Sequence, residues 1–290
     1  MGPIDLVKLP PLMELTSGRA EIAIGLIDGP VNASHPDLAG SNIQEIPGTL
    51  RGTCSRTSSI ACMHGTFVAG ILSARRGSVA PAICPGCTLL VRPIFAEGAA
   101  GNGEMPSATP AELAAAIVDT VNAGARVINL SAALLHPSDK GERELKQALD
   151  YAAARGVIAV AAAGNQGTVS GSVITRHAWV IPVAGCDASG RPTGDSNCGN
   201  SIGRRGLSAP GQDISTLGTN GEPRSFHGTS AAAPFVTGTI ALLLSEFPRA
   251  AAADVKLALL QTVARRASVV PPLLDAAAAY QYIAGMRGSR

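Results

Sequence analysis

Charge is scarce in this chain. Only 15% of its 290 residues are charged, and 23 Lys and Arg against 21 Asp and Glu leave a net charge of +2. No block of like charge and no internal repeat interrupts the sequence. That balance argues against a nucleic-acid partner. Met1-Gly2-Pro3-Ile4-Asp5 lacks a basic start followed by an apolar stretch, so no signal peptide is read there. The expectation is a cytoplasmic protein, or a secreted one if a leader has been trimmed. The apolar run after Pro234 is too short and too interrupted to span a bilayer, so no membrane partner is expected. No Gly-x-Gly-x-x-Gly follows a strand-like segment, which leaves a nucleotide-binding enzyme remote.

Hydrophobic residues make up 46% of the chain, with 33 glycines and 20 prolines. They imply a sizeable core joined by tight loops. Residues 1–20 read as an irregular lead-in. Strand-like runs occur at Glu21–Ile27, Thr88–Phe95, Arg126–Leu130, Val157–Ala162 and Trp179–Ala184. Between them lie helical patterns, from His64 to Ala74, Pro110–Ala123 and Asp139–Ala154, with Ala252–Val263 and Pro272–Ile283 near the end. Residues 29–63 and 97–109 read as loops. Apolar strands alternating with helices predict an α/β fold of three layers, a doubly wound, mainly parallel sheet covered on both faces. No linker-like break appears, so residues 1–290 are read as one domain, and the protein as a monomer.

Six cysteines fall in three close pairs: Cys54 with Cys62, Cys84 with Cys87, and Cys186 with Cys198. Six cysteines allow 15 pairings. Proximity favours the three local disulfides, each structural and none catalytic. Cys84-Pro85-Gly86-Cys87 is open to reading as a redox motif, half a zinc site or a turn disulfide. No second C-x-x-C completes a zinc site, so no metal is assigned.

The chemistry gathers around Phe226-His227-Gly228-Thr229-Ser230-Ala231-Ala232-Ala233-Pro234. A helix comes next, and Pro234 is tolerated best in a first turn, which sets the start near Ser230. Ser230 alone reads as an ordinary helix cap. Asp28 after the first strand, His64 at a helix start and Asn165 after the strand ending at Ala162 change that reading. In a parallel sheet, ligands gather at the carboxyl ends of the strands, where all four should lie. A serine hydroxyl needs a base to attack a carbonyl, imidazole is tuned for that at neutral pH, and a carboxylate orients the imidazole. The Asn165 amide and the Ser230 backbone N–H would receive the oxyanion. His35 reads as a loop residue, His136 and His177 as surface residues, and His227 as able to line a cleft.

These motifs resemble the subtilisin-like serine proteases, the subtilases. They are Ile24–Gly29, His35-Pro36-Asp37-Leu38, His64-Gly65-Thr66-Phe67-Val68-Ala69-Gly70, Val127–Ser131, Ala161–Asn165, Leu207–Gly211 and Gly228–Pro234, and they cover residues 20–285 in order. The resemblance implies catalytic Asp28, His64 and Ser230, and an oxyanion hole of Asn165 with help from Thr229. It implies pocket walls of Ser131, Ala132, Ala133, Ala161, Ala162, Ala163 and Gly164. These walls are small and neutral unless Arg176 or His177 reaches in. Within the subtilases, Asp28-Gly29-Pro30-Val31 and Val91-Arg92-Pro93-Ile94-Phe95 resemble the peptidases that mature cyanobactin-type ribosomal peptides. Macrocyclising members carry a helical insertion ahead of the histidine, and the Asp28-to-His64 segment is too short for one. The implied activity is cleavage of a peptide or protein substrate, a ribosomal precursor peptide foremost. A broad degradative protease and an inactive binding module are the alternatives. Phe67 and Ala231 stand where the family usually has His and Met. No calcium loop is identifiable, so calcium stays open and no cofactor is assigned.

Overall fold

The computed structural model describes residues 2–98, 107–131, 139–261 and 268–288. In chain order these residues form α1 (Pro3–Leu6), α2 (Pro10–Leu15), β1 (Ala23–Ile27), β2 (Ile43–Glu45), α3 (Ile60–Ser73), β3 (Thr88–Val91), α4 (Pro110–Asn122), β4 (Val127–Leu130) and α5 (Asp139–Ala154). The chain continues through β5 (Ile158–Ala162), α6 (Val173–Arg176), β6 (Val180–Cys186), α7 (Asn200–Arg205), β7 (Leu207–Pro210), β8 (Ile214–Leu217), β9 (Pro223–Phe226), α8 (Thr229–Glu246), α9 (Ala252–Gln261) and α10 (Ala276–Gly288). Seven strands make one sheet in the order β2-β3-β1-β4-β5-β6-β7. Every pairing in it is parallel. β8 and β9 form a separate antiparallel pair that delivers the chain to Gly228.

The strands are apolar on both sides because both sides are covered. Successive side chains alternate between faces. On β1, Ile24 and Leu26 enter a core with α3 and α8, whereas Ile27 enters a second core with α4 and α5. On β5, Ile158 and Val160 take the first side, and Ala159 and Ala161 the second. α8 is the central helix of the first core: almost every residue from Thr229 to Ser245 is buried. Its lack of a polar face is that of a helix surrounded by protein.

Several expectations need correction. Residues 1–20 are not an irregular lead-in, because α1 and α2 form there and Val7, Leu9, Leu12 and Met13 join the first core. The final helix starts at Ala276 rather than Pro272. Pro271 and Pro272 keep the preceding backbone extended, and this stretch pairs with β7 through Ser208 N–H to Pro272 and Leu274 N–H to Ser208. Pro234 lies inside α8, not in its first turn. Lacking an N–H, it leaves the Ser230 carbonyl without its intrahelical donor.

Only one of the three cysteine pairs is bonded, Cys54 with Cys62; Cys84, Cys87, Cys186 and Cys198 are free thiols. Cys87 instead hydrogen-bonds Ser245 Oγ at 3.8 Å. The backbone of Cys186 forms an isolated β-bridge with Pro192, and that of Cys198 forms one with Val169.

Candidate active site

β1, β4 and β5 are neighbours in the sheet, so the residues just past their carboxyl ends share one rim. The chain turns outward from β1 toward β3 and β2, then builds β4 to β7 on the other side. Such a reversal opens a crevice at the strands' carboxyl ends. Asp28 comes directly after β1, Ser131 directly after β4, and Asn165 three residues past β5.

His64 reaches this rim from α3. It lies one turn into the helix, not at its start, since Ser59 is the N-cap and accepts from Cys62 N–H at 3.1 Å. Two glycines let α3 approach Asp28. A methyl on Gly29 would overlap the Ala61 carbonyl, and one on Gly65 would overlap the carbonyls of Gly29 and Pro30.

The resulting contacts are short. His64 Nδ1 lies 2.7 Å from Asp28 Oδ1, and His64 Nε2 lies 3.0 Å from Ser230 Oγ. Asp28 is fully buried; its Oδ1 also accepts Gly29 N–H at 2.6 Å, and its Oδ2 has no partner. Burial pushes the His64 pKa down, but the Asp28 charge and hydrogen bond outweigh it and leave it above the ordinary 6.5. Phe226 meets His64 edge-on at 6.5 Å and packs on Phe67 at 4.3 Å between centroids. Phe67, where the family usually has histidine, is thus part of an apolar wall behind the imidazole.

Asn165 is oriented from below. Its Oδ1 accepts Thr229 N–H at 2.8 Å and Thr229 Oγ1–H at 2.9 Å. A backbone N–H can donate only to the amide oxygen, so Nδ2 is left pointing elsewhere with its donors free for a ligand. Both donors of Thr229 end on Asn165, and its hydroxyl accepts Gly164 N–H at 3.1 Å. Gly228 has φ +114°, and a methyl there would sit 2.8 Å from Asn165 Nδ2.

The other expected residues divide. Ser131 is buried, and its Oγ accepts Asn129 Nδ2–H at 3.0 Å. Ala162, Ala163 and Gly164 continue β5 toward Asn165, but Ala161 is turned into the second core. Ala132, Ala133 and His136 lie outside the described residues. His177 is not a surface residue: its side chain is 9% exposed and pairs with Asp150 at 3.0 Å. Arg176 turns to the Gly171 carbonyl at 2.9 Å. His35 is buried, with Nδ1 accepting Asp37 N–H. His227 is exposed and lines a separate cavity with Thr193, Asp195 and Gln212.

Three supporting residues escaped the sequence reading. Asn197 Oδ1 accepts Gln166 N–H and Thr168 N–H, while its Nδ2 donates to the Ala163 carbonyl and Gln166 Oε1, so it shapes the loop after Asn165. Asn129 accepts Thr237 Oγ1–H at 2.8 Å while holding Ser131. A polar residue within the apolar run Val127–Leu130 was its signal, because a buried amide needs partners. Glu97 accepts from Ser55 N–H, Arg56 N–H and the hydroxyls of Ser55 and Ser59, fastening the segment that caps α3.

A parallel α/β sheet with a serine, an imidazole and a buried carboxylate in hydrogen-bonded series at its carboxyl rim defines a class: serine hydrolases that act through an activated hydroxyl. The subtilase family of peptidases matches residues 19–280, and the chain belongs to that family as a subtilisin-like serine endopeptidase. Fervidolysin of Fervidobacterium pennivorans is 34% identical across 82% of this chain, which spans only 36% of fervidolysin's length. The protease domain of PatA superposes with a TM-score of 0.84 at 31% identity, covering 93% of this chain and 97% of that one. The prenylagaramide maturation protease PagA superposes with a TM-score of 0.83 at 29% identity, covering 96% and 98%.

Proposed function

We propose that this endopeptidase processes a precursor peptide, with Ser230 as nucleophile, His64 as general base and then acid, and Asp28 as the carboxylate that orients His64. The observation that carries the reading is the series Asp28–His64–Ser230, with heavy-atom separations of 2.7 and 3.0 Å. As Ser230 Oγ attacks a peptide carbonyl, His64 Nε2 takes its proton. The imidazolium so formed is stabilised by Asp28 across the Nδ1–H bond. The tetrahedral oxyanion receives the Asn165 Nδ2 donor and the Ser230 N–H, which lies in the first turn of α8 and has no intrahelical acceptor. Collapse moves the His64 proton to the departing amine and leaves an acyl ester on Ser230. A water, deprotonated by His64, then hydrolyses the ester. Thr229 acts through Asn165 rather than on the oxyanion. Ser131, Ala162, Ala163 and Gly164 are assigned to the walls around the residue before the scissile bond. The precursor-processing part of the reading is supported by the likeness to PagA, a maturation protease, over nearly the whole of both chains.

Labelling with a serine-directed fluorophosphonate tests the assignment. Wild-type protein should label at Ser230. Ser230→Ala should lose labelling and about 10⁶ in kcat, the size of loss measured on a subtilisin. Labelling that survives the substitution sinks the triad. Hydrolysis of a defined leader–core peptide in preference to casein is expected; the reverse preference points to a degradative role.

A further inference from the structure

Three arginines gather beside the loop that follows Asn165, without an ion-pair partner among the described residues. A cavity of about 450 Å³ is lined there by Ser170, Gly171, Ser201, Arg176, Arg204 and Arg205. The fold builds it by placing the end of α6 beside the end of α7. Arg205 Nη2 donates to the Arg176 carbonyl at 2.8 Å, and Arg176 Nη1 donates to the Gly171 carbonyl at 2.9 Å. These bonds hold two guanidiniums in place yet use only one nitrogen of each, and a guanidinium offers five N–H donors.

No carboxylate lines this cavity, and among the described residues none forms an ion pair with Arg176, Arg204 or Arg205. Arg205 Nε is enclosed with no acceptor. Arginine stays charged at any physiological pH, so the repulsion within the cluster is not relieved by losing a proton. Lys256 registers the field: burial first, and then the charge of Arg205, push its ammonium down to about 8. Three arginines around an open hollow, with no carboxylate beside them among the described residues, are complementary to an anion from outside. A carboxylate fits, because its two oxygens match a guanidinium fork.

The cavity lies close along the chain to Asn165, which brings a substrate carboxylate within range. Ser170 and Gly171 lie five and six residues after Asn165, so a fully extended chain would put Ser170 no more than ~18 Å away. An extended substrate peptide covers that span with about five residues. We propose that this cavity is a subsite for an acidic side chain, Glu or Asp, of the peptide substrate, within about five residues of the scissile bond. The proposal rests on the endopeptidase reading of Ser230, and its test is arranged so that the two fail separately.

A series of fluorogenic peptides shares one cleavable segment, with a Glu walked through the five positions on each side of the bond. Each has a Gln twin. At one position the wild-type enzyme should show a KM about tenfold lower for Glu than for Gln, with kcat within about twofold. Arg204→Gln, at an exposed position that should tolerate the change, and Arg176→Gln should each shrink that ratio toward one. Raising the salt should shrink it in the wild type, since the pair is partly exposed. Anisotropy binding of the same labelled peptides to Ser230→Ala protein needs no turnover and should show the same preference. Equal KM and equal affinity for both twins at every position, or a Glu preference that survives both arginine substitutions, overturns the subsite. A protein that binds the Glu peptide selectively but neither cleaves nor labels retains the subsite and loses the endopeptidase reading.

Discussion

His64 is the residue on which two opposed forces act. Burial favours its neutral form, and Asp28 favours the charged one, with Asp28 prevailing. A general base must be neutral, so kcat/KM should rise with pH through an ionisation above 6.5. The linked stability runs the other way: the His64–Asp28 contribution is full below 6.5 and lost as pH rises through the higher folded value. Asp28→Asn removes the charge and leaves burial, so the acid limb of the rate profile should move below that of the wild type. The rate should also fall by about 10⁴. An unmoved acid limb in the variant would mean another group controls the profile. Asn165 is a different case, because in the oxyanion role proposed for it the amide meets charge only in the transition state. Asn165→Leu should cut kcat by about 10²–10³ with KM little changed, a magnitude measured on a subtilisin. A raised KM at constant kcat would make Asn165 a ground-state binding residue instead.

At the scale of the element, α3 matters most, because it carries His64, the proposed base, and α8 carries Ser230, the proposed nucleophile. The start of α8 is fixed by Gly228 and by the Asn165–Thr229 bonds. The start of α3 is fixed by the Ser59 cap, the Cys54–Cys62 disulfide and Glu97. Burial pushes the Glu97 pKa up, but hydrogen bonds from Ser55, Arg56 and Ser59 outweigh that and hold it below the ordinary 4.5. A depressed carboxylate contributes stability above its unfolded pKa and loses it as pH falls through the folded value. Glu97→Ala should therefore lower stability by about 1 kcal/mol at pH 7, after discounting for exposure. The gap between thermal melts of the two proteins should shrink as pH falls below 4.5. A gap of equal size at pH 3 would show that packing, not the charged acceptor, is responsible. The role of Glu97 was not legible in the sequence. It acts on Ser55–Ser59, some forty residues away, and its carboxylate has no spacing signature. Proximity in sequence named Cys54–Cys62 correctly, but it named Cys84–Cys87 and Cys186–Cys198 equally and failed there, because closeness along the chain does not fix where two thiols point.

Across the whole molecule, legibility tracked the physics that each segment depends on. The central strands and α4, α5 and α8 were readable because a parallel sheet demands continuous apolar runs and amphipathic or wholly apolar helices to cover them. Asp28 and Asn165 were readable because a parallel sheet gathers the residues just past its strand ends at one rim, and Ser230 because a helix start faces that rim. β2, β8 and β9 are strands of three or four residues, too short to show a period. The first twenty residues failed for another reason. α1 and α2 are short, with Pro at their starts, and what orders them is tertiary: Ala276 N–H donates to the Val7 carbonyl, and Lys8 pairs with Asp275 at 2.5 Å. The two ends of the described chain are thus tied over the first core. Leu12, 1% exposed, is the plug of that arrangement. Leu12→Ala should cost ~2–5 kcal/mol, the range for deleting a buried leucine side chain whose cavity does not collapse. In a protein of this size that corresponds to a fall in Tm of roughly 3–8 °C. The melt should be run in the Ser230→Ala background, so that unfolded chains are not digested by folded ones. With the active serine restored, kcat per fluorophosphonate-titrated site should be unchanged, because Leu12 packs into the first core and is no part of the hydrogen-bonded series at the rim. A Tm within about 1 °C of the parent, under the fall that range of cost implies, would mean that residues 3–15 dock too loosely to be part of the core.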